Sequence, residues 1–162
     1  RLPRSLILAP TRELAAQVAD SFEKFSVNNK LSMALLIGGV SFADQNAALS
    51  KGVDVLIATP GRLLDHFERG KVLLNDVRIL VIDEADRMLD MGFIPDVEKI
   101  VSLLPRMRQT LFFSATLTDE IQKIGSKFVI SPKIIKVAPP ASTAETVTQH
   151  LHQRPKLAEK LD

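Results

Sequence analysis

The chain has 162 residues, of which 46% are hydrophobic and 25% are charged, and its formal net charge is +2. This composition excludes disordered and fibrous proteins and predicts one globular domain with a sizeable core. The absence of cysteine excludes disulfides and thiolate metal sites and is consistent with a reducing, cytoplasmic location. No apolar run approaches the roughly 20 residues of a membrane span, so no membrane contact is expected.

Short apolar runs alternate with amphipathic segments along the chain. In chain order, the runs that predict strands are 6–9, 33–37, 53–58, 79–82, 111–113 and 134–137, and the segments that predict helices are roughly 12–26, 42–51, 61–69, 94–104 and 119–128. The runs have little polar alternation, which is typical of strands buried on both faces. Strands that alternate with helices predict an α/β fold with a mostly parallel sheet flanked by helices.

The fourth predicted strand ends in acidic residues. Asp83 and Glu84 directly follow the run Ile79–Ile82, and residues 83–98 hold six acidic side chains against one basic side chain. In an open parallel sheet, ligands bind outside the carboxyl ends of the strands. Clustered carboxylates repel one another unless a cation is present, so this strand end is compatible with a magnesium site.

Two predicted helices begin with a threonine and carry an arginine in the first turn. Thr11 and Thr59 are expected N-caps, and Pro60 suits the first helical position because its missing N–H is not needed there. Arg12 and Arg62 lie where the helix dipole is already positive, which suggests that an anion binds at both helix starts. The alternative at either helix alone is an arginine that extends into solvent. The repetition favours a track for phosphates.

The remaining strand ends carry glycines and hydroxyls. Gly38 and Gly39 allow a ligand to approach the backbone closely, although paired glycines are also common in simple turns. Thr118 is the expected cap of the last helix, so Ser114 and Thr116 are available for other hydrogen bonds. Those hydroxyls are expected to bond the carboxylates of the acidic strand end and so to connect two neighbouring strands.

Five segments, in this order, resemble the DEAD-box ATP-dependent RNA helicases: residues 10–17, 38–39, 59–62, 83–86 and 114–116. Residues 87–93 are also similar to the bacterial RhlE-type branch of that family. The resemblance covers nearly the whole chain and implies the RecA-like fold of P-loop NTPases. It implies that residues 1–138 are the later part of the first RecA-like domain, and that residues 139–162, which begin with two prolines, are a linker towards a second RecA-like domain.

The resemblance also implies roles for individual residues. Asp83 would hold the Mg²⁺ of ATP through water, and Glu84 would position or deprotonate the water that attacks the γ-phosphate. Asp86 would bond Ser114 and Thr116 and so couple hydrolysis to RNA release. The segments expected to grip the sugar-phosphate backbone of a single RNA strand comprise Pro10, Thr11, Arg12, Gly38, Gly39, Thr59, Pro60, Gly61 and Arg62.

The aromatic residues bear on how RNA is held. The chain has eight phenylalanines and neither tryptophan nor tyrosine, and most are expected in the core, among them Phe22, Phe25, Phe112, Phe113 and Phe128. Without stacking aromatics, binding should rely on phosphate contacts, with little sequence preference and a strong salt dependence. His66 has no neighbouring metal-ligand pattern, so a zinc site is not expected.

The sequence contains no Gly-x-x-x-x-Gly-Lys-Ser/Thr phosphate loop. These 162 residues alone are therefore expected neither to hydrolyse ATP nor to unwind RNA. The fold is expected to be incomplete on its N-terminal side, because the phosphate-loop strand would lie beside the strand that precedes Ser114. Its absence should leave an unpaired sheet edge, separate residues 134–137 from their neighbour and favour non-native self-association with a second copy.

Two other functions stay open at this point. The chain is compatible with a module that binds RNA or a protein without ATP chemistry, and with a DNA-acting helicase of superfamily 2. The sequence Asp-Glu-Ala-Asp at residues 83–86, together with Ser-Ala-Thr at residues 114–116, favours an RNA helicase.

Overall fold

The computed structural model describes residues 1–137. A first compact unit spans Arg1–Pro132. Residues 133–137, at the start of the second unit, have neither helix nor strand. The predicted linker, residues 139–162, lies outside the described residues.

Five strands and six helices alternate within the first unit. They are β1 (Ser5–Leu8), α1 (Arg12–Phe25), β2 (Met33–Leu36), α2 (Phe42–Ser50), β3 (Val55–Ala58), α3 (Pro60–Glu68), β4 (Ile79–Ile82), α4 (Ala85–Asp90), α5 (Ile94–Ser102), β5 (Gln109–Phe112) and α6 (Asp119–Phe128). The strands form one parallel sheet in the order β2-β3-β1-β4-β5. The predicted parallel α/β fold is therefore confirmed.

Apolar side chains cover both faces of the sheet. On one face, Val55 and Ile57 of β3 pack with Ala15 and Ala19 of α1. The larger core cluster, on the other face, contains residues of α3, α4, α5 and α6, among them Leu63, Met88, Val97, Ile100 and Phe128. Burial on both faces explains why the strand sequences lack polar alternation.

The sheet has a free edge at β5 within the described residues. β5 pairs only with β4, as the sequence predicted. The strand predicted at residues 134–137 is wrong, because these residues form no ladder and Ile134, Ile135 and Val137 are exposed. An apolar run becomes a strand only when a neighbouring strand accepts its backbone hydrogen bonds. Self-association through β5 stays a prediction.

Two further expectations were wrong or incomplete. Phe25 and Phe113 were expected in the core, but 85% and 52% of their surfaces are exposed, whereas Phe128 is buried. Helix α4 was not predicted, since six residues are too few to show a helical period. Within residues 1–137, no helix is both long enough and apolar enough to span a membrane.

Candidate functional site

All five strands end at the same level, which brings the candidate site segments to one edge of the sheet. The register aligns the strand-end residues Leu8, Leu36, Ala58, Ile82 and Phe112. Each candidate segment begins within three residues of these ends. In space, residues 38–39, 59–62 and 10–12 follow the ends of the neighbouring strands β2, β3 and β1, and residues 83–86 and 114–116 follow β4 and β5.

The start of α1 has the predicted cap. Thr11 Oγ1 accepts a hydrogen bond from the backbone N–H of Leu14 at 3.2 Å. Arg12 is exposed, and its guanidinium reaches across to Gly39, where an added Cβ would collide with it. Gly39 has a φ of +73°, so the backbone conformation favours glycine at this position. Pro10, which was also expected to contact RNA, is buried.

The start of α3 differs from the start of α1. Thr59 occupies the N-cap position and Pro60 the first turn, but the Thr59 side chain makes no cap hydrogen bond, so that part of the prediction is wrong. The Arg62 Nε donates to Gln45 Oε1 at 3.0 Å, its Nη2 donates to the Val40 carbonyl, and the guanidinium carbon lies 3.6 Å from the centre of the Phe42 ring. Arg62 is therefore half-buried and fixed by contacts with Gln45, Val40 and Phe42, whereas Arg12 is exposed.

The glycines leave room for a ligand beside the backbone. A Cβ added at Gly38 or at Gly61 would meet no heavy atom within 4 Å. Gly61 is exposed in the first turn of α3, where the helix N–H groups point outwards. Both positions therefore permit the close approach of an anionic backbone.

The acidic strand end has an unusual backbone conformation. Glu84 is left-handed, with φ 50° and ψ 53°, which costs a non-glycine residue about 1–3 kcal/mol. Three contacts surround this turn: Asp83 Oδ1 accepts from the Glu84 N–H at 3.0 Å, the Ala85 N–H donates to the Phe113 carbonyl at 2.9 Å, and Arg87 lies 3.5 Å from the Glu84 carboxylate. The turn leaves Asp83 and Glu84 half-buried at the edge.

One side-chain hydrogen bond connects the segments that follow β4 and β5. Thr116 Oγ1 donates to Asp86 Oδ2 at 3.3 Å, while Asp86 Oδ1 accepts from the Arg87 N–H at 3.0 Å. Ser114 does not share in this contact, because its Oγ is buried and has no hydrogen-bond partner among the described residues. The structure thus brings Asp86 and Thr116 together, and the role of this pair in coupling stays a prediction.

The carboxylates suit one kind of metal site. Within residues 1–137, no group of three or more His, Asp or Glu side chains could hold a metal ion by itself. Magnesium commonly keeps several waters and takes only one or two protein carboxylates together with substrate phosphates. A single half-buried carboxylate at Asp83 fits that mode and does not fit a closed protein cage.

Sequence reasoning missed three residues behind the edge. Gln45 is 4% exposed and bonds Arg62, Phe42 stacks on Arg62, and His66 is fully buried with Nε2 2.6 Å from Gln45 Oε1. Burial, followed by the nearby positive charge of Arg62, lowers the pKa of His66. The available signal was a glutamine in the helix segment 42–51 one turn before the apolar pair Ala48 and Leu49.

Known proteins share this sequence and this fold. A family model described as DEAD/DEAH box helicase matches residues 1–124. The chain is 45% identical over 153 residues to the ATP-dependent RNA helicase RhlB of Pseudomonas putida, covering 93% of the chain and 38% of that relative. It is 42% identical over 159 residues to the DEAD-box ATP-dependent RNA helicase CshA of Streptococcus pneumoniae, covering 98% of the chain and 30% of that relative.

Solved structures agree with these matches. The crystal structure of a DEAD box protein from the hyperthermophile Methanococcus jannaschii aligns with a TM-score of 0.76 and 43% identity, covering 81% of this chain and 36% of that chain. The chain spans about a third of the length of the curated relatives named above. These relatives carry different branch names, so the RhlE-type similarity of residues 87–93 stays a prediction.

Proposed function

Because the chain belongs to the DEAD/DEAH box helicase family and has its RecA-like fold, we propose that it forms part of the first motor domain of an ATP-dependent RNA helicase. The whole protein would couple ATP hydrolysis to the separation or remodelling of RNA strands. The observation that carries this proposal is the strand order, because residues 38–39, 59–62 and 10–12 follow three neighbouring strands and the acidic segment follows the next strand, β4.

RNA would lie along the ends of β2, β3 and β1. Arg12 is the exposed cation of this surface, and the open backbone at Gly38 and Gly61 leaves space for phosphates. Helix N-termini and arginines contact phosphate groups without reading bases. The surface would therefore hold a single strand by its sugar-phosphate backbone, and sugar contacts would distinguish RNA from DNA.

ATP chemistry would take place beside β4. Glu84 would orient the attacking water or accept its proton, and Asp83 would hold Mg²⁺ through water. When bound, Mg²⁺ supplies neutralisation of phosphate charge. The hydrogen bond between Thr116 and Asp86 would transmit changes at this acidic turn to the end of β5. The buried Ser114 hydroxyl, which has no partner among the described residues, would be a further donor.

Two features of the whole protein complete the proposal. A second RecA-like domain in the same polypeptide would close over ATP and RNA and supply the remaining phosphate contacts. The protein would act in the cytoplasm.

The test is an ATPase assay on the full-length protein that carries this chain, with matched single-stranded RNA and DNA. We expect RNA to stimulate turnover strongly and DNA to stimulate it little, and we expect residues 1–162 alone to show no turnover. Equal stimulation by both nucleic acids would favour a DNA-acting helicase. RNA binding without any ATPase activity would favour a binding module.

A further inference from the structure

A buried amide lies directly behind the surface proposed for RNA. Gln45, on α2, uses both of its polar atoms. Its Nε2 donates to the Ile37 carbonyl at 2.9 Å, and its Oε1 accepts from Arg62 Nε at 3.0 Å and from His66 Nε2 at 2.6 Å. One side chain thus connects the end of β2 with the first two turns of α3.

The chemistry of the partners determines how this amide is oriented. Arg62 can only donate and the Ile37 carbonyl can only accept, so the amide oxygen must face Arg62 and the amide nitrogen must face Ile37. His66 Nε2 must then carry the proton that it donates to the same oxygen, which leaves Nδ1 unprotonated. This agrees with His66 Nδ1, which is buried and has no partner among residues 1–137.

The same network holds both ends of the glycine loop, residues 38–40. At its start, the Ile37 carbonyl is bonded by Gln45, and at its end the Val40 carbonyl is bonded by Arg62. Between them, the exposed Arg12 guanidinium lies against Gly39. The position of the glycine loop relative to Arg62 therefore depends on the hydrogen bonds that Gln45 makes to Ile37 and to Arg62.

A ring on α2, the helix that carries Gln45, also packs against Arg62. Phe42 lies three residues before Gln45 on α2, and its ring is 3.6 Å from the Arg62 guanidinium carbon and 4.0 Å from that of Arg69. The ring of Phe42 also packs on the His66 ring with centroids 4.9 Å apart. Arginine held by both a ring and an amide has few alternative conformations, and that reduces the entropy lost when a ligand binds.

We propose that Gln45 is a positioning residue for RNA binding, which sets the glycine loop and Arg62 at the spacing that RNA phosphates require. This inference rests on the proposed function, because it assumes that the edge formed by β2, β3 and β1 binds RNA. An apolar side chain of similar size would fill the space. It would leave the Ile37 carbonyl and Arg62 Nε without their partner, at the energetic cost of buried unsatisfied groups.

The first test replaces Gln45→Met in the full-length protein and measures binding to a fluorescent single-stranded RNA. We expect the dissociation constant to rise about tenfold, the equivalent of one lost hydrogen bond to a charged group. Gln122→Met on α6 is the matched control, since Gln122 is exposed and far along the chain, and it should bind as wild type does. Wild-type affinity in Gln45→Met overturns the proposal.

A double-mutant cycle separates positioning from general stability. If Gln45 acts through Arg62, then Gln45→Met should weaken RNA binding little further in an Arg62→Ala background. A full, additive loss in that background overturns the proposal. Should Gln45→Met fail to fold, Gln45→Glu serves instead. Its carboxylate still accepts from Arg62 and His66, but its second oxygen faces the Ile37 carbonyl as acceptor against acceptor. We expect an intermediate loss of affinity, and wild-type affinity in Gln45→Glu would overturn the proposal.

The outcomes distinguish this inference from the proposed function. If the wild-type protein binds no RNA, the proposed function fails and this inference fails with it. If the wild type binds and Arg12→Ala weakens binding while Gln45→Met does not, only the role of Gln45 is wrong. Nitrogen NMR of His66 adds an independent check, since a proton on Nδ1 instead of Nε2 would contradict the hydrogen-bond network.

Discussion

The two ends of the same five strands use polar residues in opposite ways. At the amino ends, Asp54 is 3% exposed and its carboxylate accepts from the Ser32 N–H at 2.9 Å and the Ser32 Oγ at 3.2 Å, with Arg1 at 3.2 Å and Arg4 at 3.6 Å. The pKa of Asp54 is lowered, chiefly by the hydrogen bond from the Ser32 backbone. Burial alone would raise it, but Arg1, Arg4 and the Ser32 hydroxyl also favour the charged carboxylate. At this end the buried carboxylate therefore has hydrogen-bond and ion-pair partners within the protein.

At the carboxyl ends, several polar and charged groups have no hydrogen-bond or ion-pair partner among the described residues. Glu84 is held in a left-handed conformation, Ser114 Oγ has no partner among the described residues, and no carboxylate of residues 1–137 pairs with Arg12. Polar groups with all partners present stabilise the native state, whereas exposed groups without partners are available to a ligand. Substitutions at the two ends should therefore separate stability from function.

The largest effect is expected at the acidic turn. Glu84→Gln in the full-length protein should lower the RNA-stimulated kcat by about a hundredfold or more, since a positioned carboxylate contributes that much to proton transfer. RNA affinity should change little. The exposed Asp90→Asn on α4 is the control and should keep its turnover. Normal turnover of Glu84→Gln would remove this residue from the proposed chemistry.

The next largest effect tests the phosphate surface. Arg12→Ala should raise the dissociation constant for single-stranded RNA about tenfold and reduce the salt slope of binding by about one, because one phosphate contact is lost. The melting temperature should not fall, since Arg12 is exposed. Lys30→Ala, an exposed cation near the amino ends of the strands, should leave RNA affinity unchanged. Equal losses in both variants would mean that binding is not localised at the carboxyl edge.

The amino edge should give the reverse result. Asp54→Ala removes the acceptor shared by Ser32, Arg1 and Arg4, and we expect the melting temperature to fall by roughly 5–10 °C. RNA affinity of the folded protein should stay at the wild-type value. The exposed Asp76→Ala should melt as the wild type does. A stable Asp54→Ala variant would contradict the stabilising role assigned to this edge.

The smallest effect concerns pH. The pKa of His66 lies below the ordinary 6.5, so the unfolded chain binds a proton more readily than the folded chain. The contribution of neutral His66 to stability is complete above pH 6.5 and is lost as the pH falls from there towards the native pKa. Arg62, Arg69 and Asp65 are the charged groups that act on this ring.

Urea unfolding at pH 7.5 and pH 5.5 checks this prediction. The wild type should lose more stability between the two values than His66→Phe, which cannot titrate. Both carboxylates with lowered pKa values, Asp54 and Glu68, titrate at more acidic pH and should not contribute. Equal losses in the two proteins would show that His66 does not bear this dependence.

Much of the fold could be predicted, because the apolar runs and helical periods report burial directly. The bounds of α6 match the predicted segment 119–128, and all five observed strands overlap predicted runs. Each failure depends on a specific hydrogen-bonding partner. Residues 134–137 lack a pairing partner, and the Thr59 hydroxyl was expected to bond a helix N–H that it does not reach. The spacing of apolar residues along the chain predicts neither strand pairing nor a side-chain cap hydrogen bond.

The two arginines show the same limit within the site. From the sequence, Arg12 and Arg62 are equivalent cations in the first turn of a helix. In the structure, Arg62 is bonded to Gln45 and stacked on Phe42, whereas Arg12 is exposed. How firmly each guanidinium is held depends on residues of α2, and no pattern in residues 59–62 contains that information.

By itself, the sequence determined the chemistry of each strand end: acidic after β4, hydroxyl-bearing after β5, and basic or glycine-rich after the others. Local composition suffices for this, because strand ends and helix starts follow from the apolar pattern. Only the tertiary structure decided the order β2-β3-β1-β4-β5, which inserts residues 10–12 between segments that are distant in sequence. Strand neighbours in a parallel sheet are chosen by long-range packing of the crossover helices, so contacts such as Arg12 with Gly39 exist only in the folded chain.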